Sequence, residues 1–409
     1  MVVNDDAGSL VPCGVLESIA SKLAPTDGMN VRHTDVCSGA VFRRGCGMCT
    51  CKNYVQMVLG IVLVLLQGVA QAAAYVDVLD LPAKVSTLAI NSPLSGMTRA
   101  GERVITVGQR GHILFSDDAG QHWQQAAVPV SADLTAVNFP TTTQGWAVGN
   151  DGVVLHSGDA GATWAKQLDG RQIGDLLVKH YSALAAADPG NEQWPLLVAE
   201  GQRMVEQGAD KPLLDVWFAN DKTGYVVGVF NLILRTDDGG QTWTPFQDRT
   251  DNPQGFHLNA IASTGDALYI AGEQGLLLKW DDSAQRFTAV PTPYQGSFFG
   301  VLGKPGEVLV YGLRGNVLRS TDGGQRWTAL NTGLHVSITA GLIDARGHYR
   351  LFTQGGQMLV SQGTGAQLQL VRKPARTPVS GAAQSADGAL VLAGSRGALT
   401  LAADPALEP

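Results

Sequence analysis

Four aspartates recur in one local setting. Asp118, Asp159, Asp238 and Asp322 each follow a Ser or Thr by two residues, precede a Gly by two and precede a Trp by five. The hydroxyl residues are Ser116, Ser157, Thr236 and Ser320, the glycines Gly120, Gly161, Gly240 and Gly324, and the tryptophans Trp123, Trp164, Trp243 and Trp327. A carboxylate can act as acid, base or cation ligand. One that returns in every copy of a turn is instead suited to accepting backbone N–H groups, with Gly supplying the positive φ that a tight reversal needs. These aspartates therefore read as turn builders, and catalysis has to be sought elsewhere. The histidines after the N-terminal region (His112, His122, His156, His180, His257, His335 and His348) show no metal-binding spacing, and no G-x-S-x-G nucleophile turn or phosphate loop is present. His112 reads as a solvated turn histidine. Neither a cofactor nor a metal is expected.

The elements that carry these residues are strands. In LILRTDDGGQTW, ending at Trp243, an apolar strand enters the turn and a second strand leaves it with Trp. The Trp surface is large enough to bury between neighbouring sheets. This pattern is the Asp-box, and it resembles the BNR-type repeats of β-propellers. A second marker, a small-residue turn after an apolar strand, lies about eight residues before each box. It occurs at Gly108, Gly149, Gly228, Gly272 and Gly312, with weaker copies at Thr353 and Gly394. The spacing is about 41 residues, except for one step of about 79 between Gly149 and Gly228. A repeat of that length with four short strands is a propeller blade.

The expected fold is therefore all-β, a single seven-bladed β-propeller over residues 73–409. The strand-like segment from Tyr75 to Leu81 is expected to complete blade seven and close the ring. The over-long step places extra chain between blades two and three. There Ile173, Leu176, Leu177, Tyr181 and Leu184 recur at helical spacing until Pro189-Gly190, and a second helix is read over Trp194 to Gln207. Residues 169–212 are thus a helical hairpin insertion, either a tolerated surface loop or a partner-binding element.

Strand order predicts a working face. The turns between second and third strands should share one face with the blade-to-blade connections, and so with the insertion. Arg110, Arg314 and Arg396 lie in three of those turns. A planar guanidinium suits carboxylate or phosphate recognition, although each arginine could equally pair with a local acid. With Trp194 of the insertion, these are the candidate partner-binding residues. Sialidases use the same ring, but their F-R-I-P signature is absent and no Tyr and Glu pair stands out. An Asp-box glycoside hydrolase or carbohydrate-binding propeller is the alternative. An acidic pair and an aromatic platform in the central channel would mark it.

Residues 1–47 have no periodic pattern and read as a mis-assigned start. Residues 48–72 read as a secretory signal peptide, with Lys52 before the apolar run Val55 to Leu66 and the small-residue site Ala70-Gln71-Ala72. An uncleaved anchor is the other reading. All five cysteines lie at or before Cys51, so the Cys46-Gly-Met-Cys49 pair is discounted as a metal or redox site and the exported chain is cysteine-free. The net charge of −7 argues against nucleic acid as a partner.

GWAVGNDGVVLHSGDAGATW, ending at Trp164, and GYVVGVFNLILRTDDGGQTW, ending at Trp243, resemble the photosystem II stability/assembly factor propellers and their bacterial relatives. The resemblance spans about residues 75–401. It implies a non-catalytic exported scaffold that is monomeric and at most peripheral to the membrane. The scaffold would help to assemble or stabilise a membrane-protein complex. The compartment implied is the periplasm, or the thylakoid lumen in a photosynthetic host. The partner implied is a photosystem II-like subunit, with an RND-type transporter as the alternative; the arginine-bearing face of photosynthetic members maps onto Arg110, Arg314 and Arg396. The helical insertion departs from a plain ring.

Overall fold

The computed structural model describes residues 76–362, 365–371 and 377–403. The expected signal peptide, the segment before it and all five cysteines lie outside these residues, as does the tail from residue 404. The described body is mostly β. It holds seven antiparallel sheets in sequence order, six of four strands and one of three among the described residues. Each sheet is a meander in which neighbouring strands pair, and neighbouring sheets meet through side chains and a few backbone bridges, such as Ala127 with Thr163 and Thr250 with Phe287.

The first strands follow a shared pattern. They run Leu94–Ala100, Leu134–Asn138, Leu213–Phe218, Leu258–Ser263, Phe298–Lys304, Ile338–Ile343 and Val379–Gln384. The first residue of each is buried. A register shift follows it in every sheet, so the second residue is left out of the ladder. That freed residue often reaches the next sheet. Thr135 Oγ1 donates to Leu213 O, Asn259 Nδ2 to Phe298 O, Thr339 Oγ1 to Val379 O and Ser380 Oγ to Leu94 O. The last of these joins the seventh sheet to the first.

The Asp-box turns stitch neighbouring sheets in a second place. In the first box Ser116 Oγ donates to Asp118 Oδ1 at 2.8 Å and accepts the Gly120 N–H at 2.8 Å. The same pair of bonds forms at Ser157, Thr236 and Ser320, at 2.8 to 2.9 Å. A Cβ on Gly161 would lie 2.8 Å from Ile105 of the first sheet, and one on Gly240 would lie 2.1 Å from Gln167 of the second. Gly120 likewise abuts the seventh sheet, where Thr400 Oγ1 donates to its carbonyl at 2.9 Å. The indoles of Trp164 and Trp243 are buried, while Trp123 and Trp327 are partly buried.

Among the described residues, the N-terminal segment does not complete the seventh sheet. Asp77 accepts the Leu79 N–H and its carbonyl accepts the Asp80 N–H, which folds residues 77–80 into a turn. Pro82, lacking an N–H, then breaks any ladder. The segment covers the apolar surface of sheets one and two instead. Leu79 is buried with Ala126, Val128 and Val130, the Val78 carbonyl accepts Ser131 N–H, and Ala83 N–H donates to Val128 O.

Helices α1 (Gly170–Ala187) and α2 (Gln193–Gln207) lie between the second and third sheets. Asp169 caps α1 with its carboxylate on the Arg171 N–H, and Gln172 completes a capping box. Ile173, Leu177 and Tyr181 are fully buried on the side facing the sheets. The helices cross closely at Gly174 and Gly201, where added Cβ atoms would lie 2.6 Å from Val205 N and 2.9 Å from Leu177 Cβ.

Candidate binding face

The turns between second and third strands are two-residue reversals in which both residues have positive φ. The pairs are Arg110-Gly111, Asp151-Gly152, Phe230-Asn231, Gln274-Gly275 and Arg314-Gly315. The first residue of each pair points its side chain away from the ladder at a backbone cost that only a well-determined turn sustains. Arg110 and Arg314 are therefore equivalent and exposed. Arg396 is exposed too, but it sits in a tighter turn between paired Gly394 and Gly397 and lacks the positive φ. None of the three guanidinium groups has an ion-pair partner among the described residues.

The face is a mosaic of charge. The second sheet places Asp151 at the position held by Arg110 and Arg314. Burial, together with the charges of Asp77, Asp133 and Asp210, pushes its carboxyl above the usual range. The backbone N–H of Arg110 donates to Asp133 Oδ1 at 2.7 Å, so basic and acidic groups adjoin. Nearby, Arg171 bridges Asp80 and Asp169 at 2.7 Å each, and Lys166 binds Asp169 at 2.9 Å. The hydrogen bond from Arg171 holds the Asp80 carboxyl far below the carboxylate range. This network ties the N-terminal turn to the start of α1.

The insertion belongs to the same face. A Cβ on Gly170 would lie 2.7 Å from the Asp151 carbonyl. Tyr181 anchors α1 to the third sheet: its hydroxyl donates to Gln247 Oε1 at 2.9 Å and accepts the Gln247 N–H at 3.1 Å. Trp194 does not project outward. Its ring is half-buried and stacks 6.2 Å from Tyr181, so it packs the hairpin onto the sheet. Between α2 and the third sheet opens a cleft of about 1080 Å³, bordered by Leu196, Arg203, Lys211, Phe230 and Asp251. Phe230 is 59% exposed and takes the Arg110 position in its own turn, with φ of 53°. Sequence reading passed over Phe230, although a bulky residue where its sister turns carry polar side chains is a visible signal.

His112 differs from the expected solvated histidine. It is 7% exposed, its Nδ1 lies 3.1 Å from Ser92 Oγ, and burial lowers its pKa. Among the described residues no group of three or more His, Cys, Asp or Glu side chains could hold a metal ion.

A family model described as "Photosynthesis system II assembly factor YCF48" matches residues 81–177 and 197–408. The chain belongs to this photosystem II assembly factor family. The match to the YCF48 family breaks over 178–196, which covers the second half of α1, the connection and the start of α2. A "Photosystem II assembly lipoprotein Ycf48" of Synechococcus sp. (strain CC9902) is 32% identical over 120 residues, covering 28% of this chain and 36% of the relative. The chloroplastic "Photosystem II stability/assembly factor HCF136" of Arabidopsis thaliana is 23% identical over 259 residues, covering 55% of this chain and 64% of the relative. The chain thus spans less than two-thirds of either relative's length. A solved structure, "YCF48 bound to D1 peptide", superposes with a TM-score of 0.56 at 14% identity, covering 76% of this chain and 93% of the other. At that identity the likeness is one of fold, a β-propeller.

Proposed function

We propose that the protein is a non-catalytic scaffold whose seven sheets are the blades of one closed propeller, with α1 and α2 inserted between blades two and three. In this reading it acts outside the cytoplasm, in the periplasm or a thylakoid lumen, and helps to assemble or stabilise a membrane-protein complex. The partner docks on the face of Arg110, Arg314, Arg396 and the hairpin. The carrying observation is that these three exposed guanidinium groups form no ion pair among the described residues, while structural arginines such as Arg103 and Arg286 do, through Asp117 and Asp251. Free forks of this kind suit carboxylates on a partner. A family relative solved with a D1 peptide supports a photosystem-type membrane subunit as the partner class. The Asp-box carboxylates, each engaged within its own turn, are read as structural.

The carbohydrate reading loses its expected mark. The cavity lined by the first strands contains a single carboxylate, Asp215, and no acidic pair. The test is to tag the protein in its native host, crosslink, and identify what co-purifies from membranes. Recovery of one integral membrane complex, lost in the Arg110→Ala, Arg314→Ala, Arg396→Ala triple variant, is the expected result. A photosystem subunit and an RND-type transporter are told apart by the complex recovered. Unchanged recovery from the triple variant would refute the face, and clean purification alone with retention on glycan beads would refute the scaffold.

A further inference from the structure

The first strands of all seven sheets line one cavity of about 350 Å³. The third residue of each strand is among those that line it, and these residues are Gly96, Ala136, Asp215, Ala260, Gly300, Ala340 and Gly381. Six positions carry no side chain beyond a methyl group, so the seventh is conspicuous on steric grounds alone. Asp215 Oδ1 accepts the Val216 N–H and Oδ2 accepts the Ile261 N–H, both at 2.8 Å. The bond to Ile261 crosses to the next sheet and stands in for the Thr, Asn or Ser staple that Leu214 cannot make. Each carboxylate oxygen keeps a second lone-pair direction. No Lys, Arg or His lines the cavity, and Asp215 has no ion pair among the described residues. One other titratable group is present. The Tyr311 hydroxyl lies over Gly300, 2.2 Å from where a Cβ would stand, and makes no hydrogen bond among the described residues.

We propose that this cavity is a binding site for a small organic cation, an alkylammonium or guanidinium group, held by the Asp215 carboxylate with the Tyr311 hydroxyl as second acceptor. A carboxylate among small apolar and neutral polar groups, with no cationic side chain lining the cavity, either holds a proton or takes a cationic ligand. Three or four further oxygens, as a hard metal ion requires, are not provided by carboxylates here. A planar or compact N–H donor that needs one carboxylate and one hydroxyl fits better. Burial in this site pushes the Asp215 carboxyl up to about 7, which agrees with a charge the protein itself does not compensate.

The test is calorimetric titration of the full-length protein with methylguanidinium chloride and with n-butylammonium chloride, at about pH 8 and about pH 5.5. One saturable site per chain is expected. Because a proton competes for the same carboxylate, affinity should fall by about thirtyfold at the lower pH. Asp215→Asn mimics the protonated carboxyl and keeps an oxygen for the Ile261 N–H, so melting should change little at about pH 5.5 while binding at about pH 8 weakens by more than about tenfold. Tyr311→Phe should weaken binding by about threefold to tenfold with no change of pH profile. Binding that survives intact in Asp215→Asn, no saturable binding by either cation, or saturable binding of Mg²⁺ in their place would each overturn the proposal. Should Asp215→Asn fail to fold, the Tyr311→Phe titration and the pH profile of the wild type decide it.

Discussion

Replacing Ser157 with Ala removes one oxygen from the core of an Asp-box and leaves the fold otherwise intact. Ser157 is 1% exposed, so water cannot substitute for it. Its Oγ accepts the Gly161 N–H at 2.9 Å and donates to Asp159 Oδ1 at 2.9 Å. The variant buries the Gly161 N–H without an acceptor, at about 1–3 kcal/mol, while Asp159 keeps its bonds from the Thr163 N–H and hydroxyl. A net loss of about 2 kcal/mol is expected, read as a lower urea midpoint at unchanged slope. The chain supplies its own replicates, since Ser116, Thr236 and Ser320 make the same two bonds with buried hydroxyls. Ser116→Ala and Ser320→Ala should match Ser157→Ala, and Thr236→Val should do likewise. Hydrogen exchange at Gly161 should accelerate in step with the loss. A cost below about 0.5 kcal/mol, or costs that scatter among the boxes by more than about threefold, would refute the view that one buried hydroxyl closes each turn.

Further outcomes are open to measurement. Tyr181→Phe strips the Gln247 N–H and Oε1 of a partner, so about 1–3 kcal/mol should be lost, with exchange rising first in α1 and α2. The folded Asp215 carboxyl, at about 7, holds its proton more tightly than the unfolded chain does; stability should therefore fall as pH rises from about 4 to about 7, by no more than about 4 kcal/mol. Asp215→Asn should flatten that slope in urea titrations. The Asp322 carboxyl runs the other way: hydrogen bonds from Arg326 and Ser320 lower it to about 2, so its stabilisation is present at neutral pH and lost as pH drops from about 4 toward 2, and Asp322→Asn should remove that part of the acid dependence. Arg110→Ala with Arg314→Ala should leave the melting midpoint within about 1 °C of the parent, since exposed unpaired groups add little.

The parts of the fold legible in the sequence were those with long, unusual signatures. Four Asp-boxes and a period near 41 residues place the strands, because Asp, Gly and Trp at fixed offsets are rare by chance. The insertion showed itself through Ile173, Leu177 and Tyr181 at helical spacing, and these residues are fully buried. The first-strand pattern escaped notice because Leu-Thr-Ala or Val-Ser-Gly is too common to stand out. Only register across the sheets reveals that Asp215 occupies a Gly or Ala position. Val76 to Leu81 alternates like a strand, yet Asp77 and Pro82 make a turn there, and the buried site for Leu79 decided its place. Trp194 was legible as an aromatic but not as to its side, since a helix offers the same residue to core or solvent according to the phase of its neighbours.

The junction between the seventh sheet and the first has a kinetic consequence. Ser380 with Leu94 and Thr400 with Gly120 join parts of the chain some 280 residues apart, without a shared strand. Every other sheet meets its successor within a few dozen residues, except across the hairpin. The chain entropy of that last encounter is the largest to overcome, and no backbone ladder rewards it. Assembly should run sheet by sheet and finish at this seam, and unfolding should start there. The three-stranded sheet is then the place where the molecule opens under force or heat, far in sequence from the helices beside its proposed docking face.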